Sequence, residues 1–172
     1  QTFETLTRDL EWFRRLDLDM IGVGPFIPHP DTPLGAEAGQ GHRPADADQV
    51  PASETMVYKV IALTRLLCPQ ANIPSTTALA TINREQGRER GLMRGANIVM
   101  PNLTPVKYRA LYEIYPAKAC IQETAKDCLG CLHRRIHTIG RTVGRGPGGR
   151  RTDAPRNAEP PPPASTVTDG HS

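Results

Sequence analysis

Aromatic side chains are scarce in this chain of 172 residues: they make up 5% of it, and Trp occurs once. Nucleic-acid-binding proteins often stack bases on aromatic side chains that alternate with basic ones, so this scarcity argues against a nucleic-acid interface. The chain also has no run of about 18 apolar residues, and no basic-then-apolar leader precedes its first predicted helix. We therefore expect a cytoplasmic protein whose partners include neither nucleic acid nor a membrane.

The chain is also too short, at 172 residues, for a complete eight-stranded α/β barrel, which takes about 250 residues. It opens on Gln1 inside a predicted helix and has no initiator Met. We expect this N-terminus to be a cut and not a natural beginning.

Large apolar side chains are missing from residues 141–172, which contain no Ile, Leu, Met, Phe, Tyr or Trp and are rich in Pro and Gly. Such a segment cannot bury enough apolar surface to offset the entropy lost on ordering. Its five Arg side chains carry positive charge, but no aromatic residue lies among them and no reading helix accompanies them. The composition predicts a disordered tail over 141–172 and a folded domain over 1–140.

Helical and strand-like patterns alternate along the folded domain. Helices are predicted at 2–16, 53–67 and 87–94 and after Thr104-Pro105, strands at 20–27, 72–79 and 97–100, and a long loop at 28–51. The last of these helices carries Tyr108, Leu111, Tyr112 and Tyr115 on one side. This alternation predicts an α/β fold with parallel strands and right-handed helical crossovers. Three strands cannot close a barrel, so we expect either a small open sheet or, as the cut N-terminus favours, the C-terminal part of a larger barrel.

Four segments carry a long and specific pattern: 19–34 (DMIGVGPFIPHPDTPL), 72–78 (NIPSTTA), 95–102 (GANIVMPN) and 111–116 (LYEIYP). Their residues and their order closely resemble the HydE family of radical S-adenosylmethionine (SAM) maturases, which help to assemble the active-site cluster of di-iron hydrogenases. Biotin synthase and methylornithine synthase share the architecture, but their counterparts of residues 28–34 look different. The resemblance extends over about residues 1–140.

The resemblance implies a complete (β/α)8 TIM-type barrel of which these three strands would be the last. The family holds a 4Fe–4S cluster on a Cys-x3-Cys-x2-Cys loop near the start of the barrel, and that cluster binds SAM and cleaves it reductively. The four cysteines of this chain show no such spacing. We therefore expect the chain to be inactive alone, although the intact protein would be an enzyme.

Three of the cysteines, Cys120, Cys128 and Cys131, form the sharpest local pattern, and we refer to them as the cysteine group. Asp127 is predicted to cap a helix over 128–139, which would place Cys128 and Cys131 on one face of its first turn. The positive end of that helix would lower the thiol pKa there. Cys68 is interpreted as a packing residue of an amphipathic helix.

The cysteine group suits an iron–sulfur cluster with one open iron, or zinc if His133 or His137 completes the ligand set. The spacing also resembles an auxiliary iron–sulfur site that some HydE members carry. The alternative is that the cysteines are reduced and bind no metal, or pair as an adventitious disulfide.

Met20 and Met100 lie on predicted strands, where methionines are most often core residues. The resemblance implies a different role, because the family places methionines at these two motif positions beside SAM. It adds Tyr112 as a third residue facing the cofactor, although a tyrosine there could equally be an ordinary helix-face aromatic.

Thr76 and Thr77 follow a predicted strand at the end where barrels build their active sites. Their hydroxyls could bind an anionic or carboxylate group of a substrate, or could make local turn hydrogen bonds. The resemblance adds Tyr115, which would face the substrate cavity.

The leading hypothesis is the C-terminal fragment of a HydE-like radical SAM enzyme. It implies SAM and a 4Fe–4S cluster as cofactors, an organometallic, cysteine-derived small molecule as substrate, and other hydrogenase maturation proteins as partners. Two alternatives stay open: a biotin-synthase-like radical SAM enzyme, and a non-catalytic three-thiolate metal-binding fragment.

Overall fold

The structure is a computed structural model that describes residues 1–39, 48–112, 114 and 116–150. These residues form the helices α1 (Phe3–Arg15), α2 (Pro33–Gly39), α3 (Glu54–Leu67), α4 (Thr77–Ile82), α5 (Gly87–Met93), α6 (Val106–Arg109) and α7 (Ala125–Thr138). None of the helices in this part of the chain is long and apolar enough to cross a lipid bilayer.

The three predicted strands are present as extended segments joined by isolated β-bridges. Met20 pairs in parallel with Asn72, and Pro74 pairs in parallel with Ile98. The neighbour order and the parallel direction agree with the prediction. The prediction of full strands is wrong, and the described residues show no barrel. One reason is that Pro74, in the middle segment, has no backbone N–H to donate to a ladder.

The long amphipathic helices begin and end where local signals predict. Ser53 caps α3 by accepting a hydrogen bond from the backbone N–H of Met56 at 3.3 Å. The helix ends one residue before Cys68, ahead of the proline that follows. Helix α5 ends before Gly95, whose φ of 118° is a conformation that side chains with a Cβ rarely adopt. The bounds of α3 and the end of α5 therefore follow from local signals.

Two helices lie where other structure is predicted. Helix α4 begins at Thr77, inside the predicted second strand, because Thr76 accepts a hydrogen bond from the Leu79 N–H at 3.4 Å and so caps a helix. Helix α2 occupies part of the predicted loop over 28–51, of which residues 40–47 lie outside the described residues.

The prediction for the region after Thr104 is wrong in its extent. Helix α6 spans four residues, and its N-cap Pro105 makes no side-chain hydrogen bond. Helix α7 begins earlier than predicted because Thr124, and not Asp127, is its N-cap; Asp127 is the third helical residue and completes a capping box with Thr124.

The core lies on one side of the extended segments, where the helices pack. Ile21 and Ile73 point to that side and are 2% and 0% exposed, whereas Met20 and Met100 are 50% and 52% exposed. The central cluster of buried residues comprises Val57, Tyr58, Ile61, Ile73, Leu79, Leu92, Ala96 and Ile136. The segments therefore have a helix-covered face and an exposed face.

Residues 141–150 contact the domain, although the composition predicts disorder from residue 141 onward. Arg150 donates to the Asp17 carboxylate at 2.7 Å, and the Asn72 side chain donates to the Gly148 carbonyl at 3.1 Å. These are polar contacts, so the absence of large apolar side chains does not prevent them. The boundary at residue 140 stays a prediction, and residues 151–172 lie outside the described residues.

We expect Gly91→Ala to lower the free energy of unfolding by about 1–2 kcal/mol, because a Cβ at Gly91 would lie 2.3 Å from the Ser75 Oγ. Gly130→Ala is the matched control, since its nearest neighbour is Arg134 Nη1 at 3.8 Å. Gly130→Ala should raise the free energy of unfolding by about 0.5–1 kcal/mol, because alanine has a higher helix propensity than glycine. Urea unfolding of both variants tests this, and equal effects would contradict the close packing of α5 on Ser75.

Candidate metal and cofactor site

The exposed face of the extended segments carries the two methionines predicted to contact a cofactor. The bridges pair Met20 with Asn72 and Pro74 with Ile98, and Thr76 and Met100 each follow two residues after the second pair. The four residue steps from Asn72 to Thr76 correspond to roughly 13 Å of extended chain. The structure therefore brings Met100 and Thr76 to the same end of the face and leaves Met20 at the other end.

The two threonines predicted to bind substrate lie at the start of α4. Thr76 is half-buried and its hydroxyl caps the helix, and the Thr77 carbonyl accepts a hydrogen bond from the Thr81 hydroxyl at 2.9 Å. The local turn role is thus present at Thr76. A Cβ on Gly24 would lie 3.2 Å from the Thr76 hydroxyl, so this glycine lets the first segment approach closely. Substrate binding by the two threonines stays a prediction.

Tyr112 follows α6 and is 60% exposed, with the Lys118 ammonium 4.8 Å from its ring centroid. It lies beyond the short helix and not on a longer helical face as predicted. Tyr115 lies outside the described residues. The roles of the two tyrosines stay predictions.

The cysteine group comes from two parts of the fold. Cys128 and Cys131 lie one turn apart on α7, and Cys120 lies in the irregular segment before it with a φ of 62°. Cys120 is close enough to Cys128 for their charges to interact, and Cys120 and Cys131 line one cavity. Over the described residues, however, no three His, Cys, Asp or Glu side chains form a ready metal-binding group. His133 and His137 are exposed.

Two sulfurs of the cysteine group, those of Cys120 and Cys128, accept hydrogen bonds from other segments of the fold. The Arg88 guanidinium donates to Cys120 Sγ at 3.7 Å, and the Asn102 backbone N–H donates to Cys128 Sγ at 3.5 Å. Arg135 lies beside Cys131, and both residues line the same cavity. Donors of this kind surround the thiolates of iron–sulfur sites and adjust their potential. The donor chemistry of the group fits a cluster, although the sulfurs are not assembled around one point.

Burial raises the pKa of the Cys120 thiol, and the Arg88 guanidinium beside it opposes that rise. Burial likewise raises the pKa of Cys68. Because a metal binds the thiolate, loading the cysteine group releases protons and becomes more favourable as the pH rises.

Arg109 organises the approach to the cysteine group and escaped sequence reasoning. It is 3% exposed and donates to the carbonyls of Asn102 at 2.8 Å, Thr104 at 2.6 Å and Cys120 at 2.9 Å, and also to that of Glu123. One guanidinium thereby holds the residue that contacts Cys128 together with the backbone of Cys120. An arginine is usually exposed, so no local signal identifies this role.

A second arginine, Arg135, joins α7 to α5 beside Cys131. It donates to both carboxylate oxygens of Glu89, one of them at 3.1 Å, and to the carbonyls of Arg84 and Glu85. The paired side chains of Arg135 and Glu89 are 28% and 11% exposed. Sequence reasoning also missed this pair, because its members are 46 residues apart.

Comparison with known proteins gives one decisive result. No family model matches the chain. Over 151 residues, which are 88% of this chain, it is 45% identical to the [FeFe] hydrogenase maturase subunit HydE of Thermotoga maritima. The chain is a relative of HydE. The resemblance read from the four sequence segments is thereby confirmed. The chain spans 40% of the length of the Thermotoga maritima HydE.

We expect anaerobic reconstitution with iron and sulfide to give broad visible absorption that is lost in Cys128→Ala and in Cys131→Ala. Cys68→Ala is the matched control and should retain the visible absorption, because Cys68 caps the C-terminal end of α3 and is not part of the cysteine group. Absorption spectra and iron content per chain measure the result. Equal loss in all three variants would mean that the cysteines collect iron without a defined site.

Proposed function

We propose that this chain forms the C-terminal part of the (β/α)8 barrel of a HydE-type radical SAM enzyme that matures [FeFe] hydrogenases. The observation that carries the proposal is the 45% identity to HydE over 88% of the chain. The cytoplasmic location and the other maturation proteins as partners belong to the same proposal.

The one-sided packing of the extended segments supports a barrel. In a (β/α)8 barrel the helices cover the outside of the strands, and side chains of the other face point to the interior. Here α3, α5 and α7 bury Ile73, while Met20, Met100 and Phe26 on the other face are about half exposed. Further strands would cover these side chains.

The residues of this chain line the cavity in the proposed enzyme. A SAM-binding 4Fe–4S cluster, whose ligands are not among these cysteines, would supply the reductive cleavage of SAM when bound. Met20, Met100 and Tyr112 contact the cofactor. Thr76 and Thr77 bind an anionic or carboxylate group of an organometallic, cysteine-derived substrate, and Tyr115 faces the substrate cavity. The cysteine group binds an auxiliary cluster.

A chimera tests the proposal. This chain replaces the matched segment of the Thermotoga maritima HydE, and deoxyadenosine is measured with dithionite as reductant. We expect the chimera to produce deoxyadenosine and to support hydrogenase activation together with the other maturation proteins, and the chain alone to do neither. Met100→Lys should abolish production, because a cation would lie beside the sulfonium.

The control is Met93→Lys, which changes a methionine that is 53% exposed at the end of α5. It should leave deoxyadenosine formation unchanged. A chimera that binds its 4Fe–4S cluster and melts cooperatively but makes no deoxyadenosine would refute the proposal of a radical SAM enzyme. That result would favour the alternative of a non-catalytic metal-binding fragment.

A further inference from the structure

A cavity of about 480 Å³ lies between α5, α7 and the segment 117–123, on the helix-covered side of the fold. Its volume falls within the usual range for small-molecule sites, about 300–1,000 Å³. Four cationic side chains and one carboxylate line it, together with two thiols: Arg84, Arg88, Lys118, Arg135, Glu123, Cys120 and Cys131. The cavity is therefore suited to an anion.

Arg88 is the cation in this cavity that is buried and has only a sulfur as a hydrogen-bond acceptor among the described residues. It is 6% exposed, and over the described residues its guanidinium has one hydrogen-bond acceptor, Cys120 Sγ at 3.7 Å. The guanidinium has five N–H donors, and a sulfur is a weak acceptor. A buried cation without an anionic partner is costly, so a ligand anion in the cavity would satisfy it.

The other cations of the cavity are either paired with a carboxylate, as Arg135 is, or less buried than Arg88, as Arg84 and Lys118 are. The Glu89 carboxylate pairs with Arg135, and the Arg84 guanidinium donates to the Ala117 carbonyl at 2.9 Å. Lys118 lies over the Tyr112 ring and donates to that residue's carbonyl at 3.5 Å. The recognition group is thus a single guanidinium, which matches the two oxygens of a carboxylate.

The backbone beside Arg88 is held in a strained form. Cys120 has a φ of 62°, and its carbonyl accepts hydrogen bonds from Arg109 at 2.9 Å and from the Asn102 side chain at 3.2 Å. Non-glycine residues persist in this region only where their surroundings impose it, and such residues cluster at ligand sites. The backbone that forms this wall of the cavity is therefore held in one conformation by hydrogen bonds and is not a loose loop.

We propose that this cavity binds a small organic carboxylate, with the Arg88 guanidinium donating a bidentate pair of hydrogen bonds to the carboxylate beside the Cys120 thiol. One guanidinium suits a monoanion, and Glu123 disfavours a dianion such as phosphate. The inference concerns the protein whose cysteine group holds no metal, at a site outside the proposed barrel interior, and it requires neither an iron–sulfur cluster nor SAM.

The test measures alkylation of Cys120 by iodoacetamide in the metal-free, reduced full-length protein, by peptide mass spectrometry, with and without pyruvate. The ratio of the two rates is taken within each variant, so a change in thiol reactivity cancels. We expect saturable protection of about tenfold at ten times the dissociation constant, because occupancy reduces the free site in that proportion. Sodium chloride at the same ionic strength should give no protection.

Arg88→Gln should lose the protection. Arg90→Gln is the matched control on the same helix and should keep it, because Arg90 lines a different cavity and lies 3.8 Å from Glu54. If Arg88→Gln fails to fold, Arg88→Lys replaces it as the test. Lysine keeps the positive charge but cannot donate two parallel hydrogen bonds, so Arg88→Lys should weaken pyruvate binding at least tenfold. Protection by chloride, or unchanged protection in Arg88→Gln or Arg88→Lys, would overturn the proposal.

Discussion

Arg109→Met is expected to lower the free energy of unfolding by about 3–5 kcal/mol and to abolish iron binding by the cysteine group. Methionine fills similar space but donates nothing, so four carbonyl groups lose the Arg109 donor at once, and the Cys120 carbonyl keeps only its bond from the Asn102 side chain. Hydrogen bonds to a charged group contribute about 1.5–3 kcal/mol each, and these four share one guanidinium, so their contributions are not additive. The segment that positions Cys120 should separate from the one that contacts Cys128.

Urea unfolding gives the stability change, and iron content after reconstitution gives the effect on the cysteine group. Arg134→Met is the matched control, since Arg134 is exposed on α7 and its loss should change stability by no more than about 0.5 kcal/mol. If Arg109→Met stays within about 1 kcal/mol of the parent and binds iron normally, the guanidinium does not organise the site.

Glu89→Ala should lower the free energy of unfolding by about 2–4 kcal/mol, because it leaves the Arg135 guanidinium in a largely buried place without its carboxylate. The expected loss of free energy is smaller than for a fully buried pair, since the Arg135 side chain is 28% exposed. The exposed neighbour Glu85 provides the control, and Glu85→Ala should be close to neutral.

A double-mutant cycle separates the pair from its surroundings. Replacing both Glu89 and Arg135 by Ala should cost less than the sum of the single changes, because neither charge is then left unpaired. Additive effects would show that the two side chains contribute independently and that their contact does not join α5 to α7.

Sequence reasoning was most successful for α1, α3 and α5. Thr2 and Ser53 accept hydrogen bonds from nearby backbone N–H groups, and Gly95 ends α5 with a positive φ. All three signals act within a few residues, so they can be read without knowing the rest of the fold. The relation to HydE was also readable, because four motifs occur in the same order.

The extent of the extended segments and the burial of the arginines depend on contacts between residues far apart in the chain. Thr76 can continue an extended segment or cap a helix, and only its position against Gly24 and α4 decides between them. Arg109 and Arg135 carry no local sign of burial, since their acceptors lie up to 14 and 51 residues away.

The sequence by itself therefore determined the helices α1, α3 and α5, the parallel order of the three extended segments and the relation to HydE, because these follow from local hydrogen bonds and from motif order. Only the tertiary structure decided how α6 ends, where Cys120 lies relative to Cys128, and that Arg88 has donors available in a cavity. Such features arise from the desolvation of charged groups when distant segments pack together, and the order of residues in the chain does not encode that directly.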